Sequence, residues 1–124
     1  MTEGFYAEQQ GAVAVHTFID STDAAVDAWT LELARHIDAT PTDQPFRVLM
    51  DVSSNNVSFT RYARHSTAQL FTRYQNRLGR LAFLFSSRTA PYFARIFFAT
   101  FGKVSFEVAY FSNRATAMDW LNES

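Results

Sequence analysis

The apolar positions change period several times along the chain, and each change marks an element. In GAVAVHTFID, Gly11 to Asp20, the residues Val13, Val15, Phe18 and Ile19 stand among β-branched neighbours between turn residues, which predicts a strand. Phe5 and Tyr6 precede it, and Gln9, Gln10 and Gly11 supply a turn that makes the two segments a hairpin. From Ser21 the spacing becomes helical. Val26, Trp29, Leu33 and Ile37 fall at i, i+3, i+7 and i+11, after Asp20 or Ser21 as N-cap and before Pro41 as a stop. FRVLMDV, Phe46 to Val52, is then a nearly continuous apolar run of strand length, the pattern of a strand buried on both faces.

The second half repeats the alternation. A helix is expected from about Thr60 to Leu78, with Ala63, Thr67, Leu70, Tyr74 and Leu78 on one face and Gly79 as C-terminal cap. LAFLFSS, Leu81 to Ser87, is another buried strand. Pro91 and Gly102 bracket a third helix over 89–102. Val104 to Phe111 makes the next strand, and Ser112 or Asn113 caps a short final helix. The order β-β-α-β-α-β-α-β-α is that of an α/β fold with a mixed, mostly parallel central sheet, with helices on both faces through right-handed crossovers. No repeat or linker divides residues 1–124, which read as one domain.

The third helix carries more apolar surface than a sheet contact needs. In YFARIFFATF, Tyr92 to Phe101, the side chains of Phe93, Phe97 and Phe101 fall within roughly 80° at about 100° per residue, the width of a core face. Phe98 and Ile96 widen the apolar arc to roughly 200°, with Arg95 toward solvent and Tyr92 on the flank. The surplus calls for a neighbouring helix, a second subunit, a hydrophobic ligand or a membrane interface as its cover. Leu31, opposite the apolar face of the first helix, is a smaller anomaly of the same kind.

Composition narrows the function classes. Nearly half the chain is apolar (48%) and the net charge is −1, which argues against disorder and against a dedicated nucleic-acid binder. The absence of cysteine excludes disulfides, thiolate nucleophiles and sulfur-based zinc sites. MTEGFYAEQQ lacks a basic n-region and an apolar h-region, and no apolar run approaches the ~20 residues that span a bilayer. A cytoplasmic protein with no transmembrane segment is expected. His16, His36 and His65 show no metal-binding spacing, there is no G-x-S-x-G elbow, and Gly4, Gly11, Gly79 and Gly102 form no phosphate-binding loop. Neither a catalytic residue, a metal nor a cofactor is expected.

Charge is distributed unevenly. No Asp or Glu occurs between Val52 and Phe106, where Arg61, Arg64, Arg73, Arg77, Arg80, Arg88, Arg95 and Lys103 lie, whereas Asp20, Asp23, Asp27, Glu32 and Asp38 gather on or beside the first helix. The basic residues either solvate helix faces with their stems over apolar surface, or mark a surface for an anionic partner.

The element order, the strand ending in Asp (VLMDV) and the closing VAYFSNRATAMDWL, with Ala117, Trp120 and Leu121 in its helix, resemble the SpoIIAA-like proteins of the STAS and Sec14-like group. The resemblance spans almost the whole chain. It implies a mixed sheet with helices packed on it and a binding or regulatory role, since the related groups include anti-sigma-factor antagonists and carriers of hydrophobic molecules. The antagonists' Asp-Ser-Ser-Gly phosphorylation motif is missing: the region reads MDVSSNNVSFTRYARHS, with Thr60, Arg61 and Tyr62 about where the motif falls. Ser53, Ser54, Ser58 and Thr60 are read instead as capping and turn residues.

The expectation is a non-enzymatic SpoIIAA-like module, a homodimer presenting Tyr92, Arg95, Ile96, Phe98, Arg61 and Arg64 to a protein partner or an amphipathic anionic ligand. The alternative is a lipid or fatty-acid carrier with an apolar pocket, and a weaker one is an antagonist-like regulator without the phosphosite.

Overall fold

A computed structural model describes residues 4–86 and 104–123 of the 124-residue chain. The expected helix over 89–102, and with it Tyr92, Arg95, Ile96 and Phe98, lies outside the described residues.

Five strands form one sheet in sequential order: β1 (Phe5–Gln10), β2 (Val13–Phe18), β3 (Phe46–Asp51), β4 (Gly79–Leu84) and β5 (Glu107–Phe111). β1 runs antiparallel to β2, with Gln10 opposite Val13, and the remaining pairs are parallel. The hairpin turn holds only Gly11 and Ala12. Gly11 has φ +62°, a conformation that glycine enters without a Cβ penalty and that matches the twist of the flanking strands.

Three helices occur among the described residues: α1 (Asp23–Ala39), α2 (Arg61–Arg73) and α3 (Arg114–Leu121). α1 starts at Thr22, whose Oγ1 accepts the Ala25 N–H, and Asp20 braces this cap by accepting from the Thr22 N–H at 3.2 Å. The cap therefore lies one residue beyond Ser21, because Asp20 is occupied in the turn that precedes it. Thr60 caps α2 in the same way through the Ala63 N–H, and Asn113 caps α3 through the Thr116 N–H.

Crossovers of one hand between strands laid down in one direction put α1 and α2 on the same face, where they pack against each other. α3 lies on the opposite face, against β3, β4 and β5. Helices thus lie on both faces of the sheet, with α1 and α2 sharing one of them. The α1/α2 side holds the larger core, including Phe18, Val26, Trp29, Leu33, Ile37, Phe46, Val48, Met50, Leu70, Phe71, Tyr74, Phe83, Phe85 and Phe106. The α3 side buries Val13, Val15, Leu49, Ala82, Leu84, Ala117 and Leu121.

α2 ends earlier than its apolar periodicity suggests. Tyr74 caps it, Leu78 is half exposed, and Gly79 opens β4 instead of closing the helix. Gly79 sits opposite Phe46 in the register, and a Cβ there would overlap the Phe46 ring. Close approach to an aromatic side chain, not a helix terminus, is what calls for glycine at this position.

Two arginines at paired positions of β3 and β4 hold α3 on its face. Arg47 Nη1 donates to the carbonyls of Leu121 (2.5 Å) and Glu123 (3.0 Å), and Arg80 Nη1 to those of Trp120 (2.9 Å) and Glu123 (2.8 Å). Cations at the carbonyl end of a helix satisfy its orphan acceptors and oppose the negative end of its dipole. The Arg80 guanidinium also lies 5.6 Å from the centroid of the Trp120 ring.

Candidate functional site

The carboxyl ends of β2, β3 and β4 bring Phe18, Met50, Phe83 and the following Phe85 to the α1/α2 face. α1 turns Val26 and Trp29 toward them at helical spacing, and α2 does the same with Ala63 and Thr67. Residues 52–59 bridge the two helices with Val52, Val57, Ser58 and Phe59. These walls leave a partly open apolar cavity of about 50 Å³ at the ends of the three central strands. In open α/β sheets this end of the strands is where ligand sites form.

The polar groups around the cavity are engaged in structure. Ser21 Oγ accepts the Ser58 N–H at 3.1 Å and lies 3.3 Å from Ser58 Oγ, and Thr67 Oγ1 donates to the Ala63 carbonyl at 2.6 Å. Ser54 Oγ donates to the Ile19 carbonyl, and Ser53 donates to Asp51 Oδ1 through both its N–H and its hydroxyl. The loop hydroxyls thus take the turn and capping roles expected of them. Trp29 differs: it is 3% exposed, its ring lies 5.9 Å from that of Phe18, and its Nε1–H is buried without an acceptor among the described residues.

A second, polar cleft of about 220 Å³ lies between β1 and α1, lined by Ala14, His16, Glu32, Arg35 and His36 together with Ala7, Glu8 and Gln9. His16 is buried within β2, edge-on to Phe5 at 5.8 Å, and its Nδ1 has no partner among the described residues. Burial pushes its imidazole down to about 4, against a smaller opposing pull from Glu32. Burial, assisted by Arg35, also lowers His36, whose Nε2 is likewise unpaired. Arg35 grips Glu32 with two guanidinium nitrogens and holds its carboxyl below the usual range. The spacing of single histidines along the sequence gave no sign of this cluster, because β2 meets α1 only in the fold. Among the described residues no group of three His, Asp or Glu is placed to hold a metal ion.

At the far side of the β3 end, Arg114 of α3 donates to Asp51 Oδ2 at 2.6 Å, which ties the Asp of VLMDV to the last helix.

Of the sequence-derived surface residues, Arg61 and Arg64 are exposed on the first turns of α2, where the Arg64 backbone N–H donates to the Thr60 carbonyl at 2.9 Å. They are not among the described cavity walls. The acidic first helix and the basic second helix face each other: Asp27 accepts the Tyr62 hydroxyl, and Asp38 accepts the Tyr74 hydroxyl at 2.9 Å and pairs with Arg73 at 3.7 Å. Leu31 is 73% exposed, in keeping with its position opposite the apolar face. No helix among the described residues is long and apolar enough to cross a membrane.

No family model matches the chain, and no curated protein matches it. Among solved structures it is similar to an uncharacterised protein of the DUF3478 family from Shewanella loihica PV-4, described as having a SpoIIAA-like fold. The TM-score is 0.66 at 16% identity, over 94% of this chain and 91% of that one. The chain has a SpoIIAA-like α/β fold.

Proposed function

We propose that the chain is a non-enzymatic binding module that accepts a small apolar group in the cavity between α1 and α2. The observation that carries this reading is an open, apolar cavity at the carboxyl ends of three parallel strands, where the neighbouring hydroxyls are engaged in turns and helix hydrogen bonds. Its volume of about 50 Å³ is roughly one third of the ~150 Å³ apolar cavity that admits benzene, which favours a short ligand or an inserted side chain over a lipid-length chain.

Xenon, followed through the methyl resonances of Ala63 and Thr67, tests the reading directly. Saturable shifts are expected in the native chain and their loss in Ala63→Leu, whose added carbons fill the space. Filling a void of this size recovers up to about 1 kcal/mol at ~24 cal/mol per Å³, so the variant should remain folded. Absence of any xenon response in the native chain refutes the reading.

A homodimer is the second reading, favoured by the exposure of Leu31 (73%) and Ile19 (50%) together with the sequence surplus at Tyr92, Arg95, Ile96 and Phe98. Light scattering decides it: a dimer that either Leu31→Lys or Phe98→Asp converts to a folded monomer supports it, and a native monomer ends it.

A further inference from the structure

β1 is an outer strand of the sheet, paired with β2 alone among the described residues, and Tyr6 to Gln10 along it are all exposed. The Gly4 carbonyl accepts the Ile19 N–H at 2.7 Å, which sets the phase of the ladder: Gly4, Tyr6, Glu8 and Gln10 bond toward β2. The N–H and C=O groups of Phe5, Ala7 and Gln9 therefore point to the free edge. Outer strands commonly carry Lys, Pro or a bulge that keeps a second chain from pairing with them. FYAEQQ has none of these, and its register with β2 runs unbroken from Phe5 to Gln10.

A second copy of the chain fits this edge. Antiparallel pairing about a two-fold axis must match outward groups with outward groups. Centred on Ala7, it sets Ala7 opposite the partner's Ala7 and Phe5 opposite the partner's Gln9, with about six backbone hydrogen bonds. A shift of two residues toward the turn loses one pair and sets Glu8 against the partner's Glu8. α1 rests on both β1 and β2, so with strands ~4.8 Å apart the two copies of α1 come to lie about 10 Å from each other, the spacing of packed helices. One flank of α1 is bonded to α2 through Asp27 and Asp38; the other, with Ala28, Glu32, Arg35 and Ala39, is turned to the seam. The two-fold axis inverts the order of charges there, so the Glu32–Arg35 pair meets the partner's Arg35 and the partner's Glu32. We infer that β1 is a dimerisation edge: two copies of the chain pair antiparallel through Phe5–Gln10 about an axis at Ala7 and join their sheets into one. The inference rests on the homodimer reading above for its stoichiometry, and places the seam at β1 instead of at Leu31 and Phe98.

The chain has no cysteine, so a single introduced thiol reports the axis. Ala7→Cys places the paired Cα atoms about 5.5 Å apart, within disulfide range, and should oxidise to a covalent dimer. Gln9→Cys lies on the same edge but about 14 Å from its counterpart, and should cross-link at least about tenfold more slowly. In the native full-length chain, the Ala7 and Gln9 amides should exchange at least about tenfold more slowly in the dimer than after dilution to monomer. That exchange is read without substitution and so decides the matter even if a variant does not fold. Equal cross-linking at both positions, or a dimer whose Ala7 and Gln9 amides stay unprotected, overturns the edge assignment. If Leu31→Lys or Phe98→Asp converts such a dimer to a folded monomer, the homodimer reading stands with its seam elsewhere; if light scattering shows a native monomer, both fail.

Discussion

Removing the charge-sensitive imidazole of His16 should flatten the dependence of stability on pH. The imidazole titrates near 6.5 when exposed in the unfolded chain and near 4 in the fold, chiefly because burial disfavours its charged form. Between these values the unfolded chain binds the extra proton, so stability is lost as pH falls through this window and is regained as pH rises. At about 1.4 kcal/mol per pH unit the full span corresponds to about 3 kcal/mol, of which about 2 kcal/mol is already lost at pH 5 relative to pH 8. With a urea slope of about 1.5 kcal/mol per molar, the unfolding midpoint should fall by roughly 1 M over that range. The groups facing His16 from the packed elements are Glu32, Arg35 and His36 on α1, with Glu8 of β1 lining the same cleft. Stopping at pH 5 leaves out Glu32, whose carboxyl is held below 4.5 by the Arg35 hydrogen bond and whose contribution is lost only below that value. His36, also lowered by burial, leaves a residual slope of the same sign. Urea unfolding at half-unit steps from pH 8 to pH 5 should therefore show the decline in the native chain and a much flatter curve in His16→Gln. A native midpoint constant over this range, or an undiminished slope in His16→Gln, refutes the reasoning.

Other expectations concern packing and caps. Gly79→Ala should destabilise the fold by about 1–3 kcal/mol in urea unfolding, because its methyl group overlaps the Phe46 ring; a neutral result would contradict the close approach. Thr60→Ala should cost about 1 kcal/mol by removing the acceptor of the Ala63 N–H, and Thr60→Ser should retain most of that stability. Arg47→Ala and Arg80→Ala should each raise amide exchange selectively in α3 by at least about tenfold, as two charge-assisted bonds to its last carbonyls are lost. Uniform acceleration across the sheet would show that the clamp is not local.

Local periodicity made much of the frame legible. Val26, Trp29, Leu33 and Ile37 are all buried on α1, and five of the six residues of β3 are buried, because those elements meet the core along their full length. Periodicity failed where one particular contact overrides it, as at Gly79 under the Phe46 ring and at half-exposed Leu78. The face shared by α1 and α2 follows from strand order, which pairing decides and no single segment encodes. The cavity was illegible for a related reason: Phe18, Trp29, Met50 and Phe83 have the pattern of core residues, and a gap between core residues leaves no periodic trace. His16 belongs with them, since only the fold brings it to Glu32 and His36. The surplus apolar arc at Phe98 and Ile96 remains a property of the sequence.

The placement of α3 as the one helix on its side of the sheet among the described residues gives that face a detachable cover. Its eight residues shield a strip formed by Val13, Val15, Leu49, Ala82 and Leu84, and its far end is held mainly by bonds from Arg47 and Arg80 to backbone oxygens. Guanidinium bonds to carbonyls require no particular side chain on the helix, so the latch tolerates sequence change there while the strip beneath stays apolar. Release of this one helix leaves the hydrogen-bonded sheet and the α1/α2 core in place and presents a ready-made sticky surface. The first opening event on heating is thus expected to promote self-association before the strands separate.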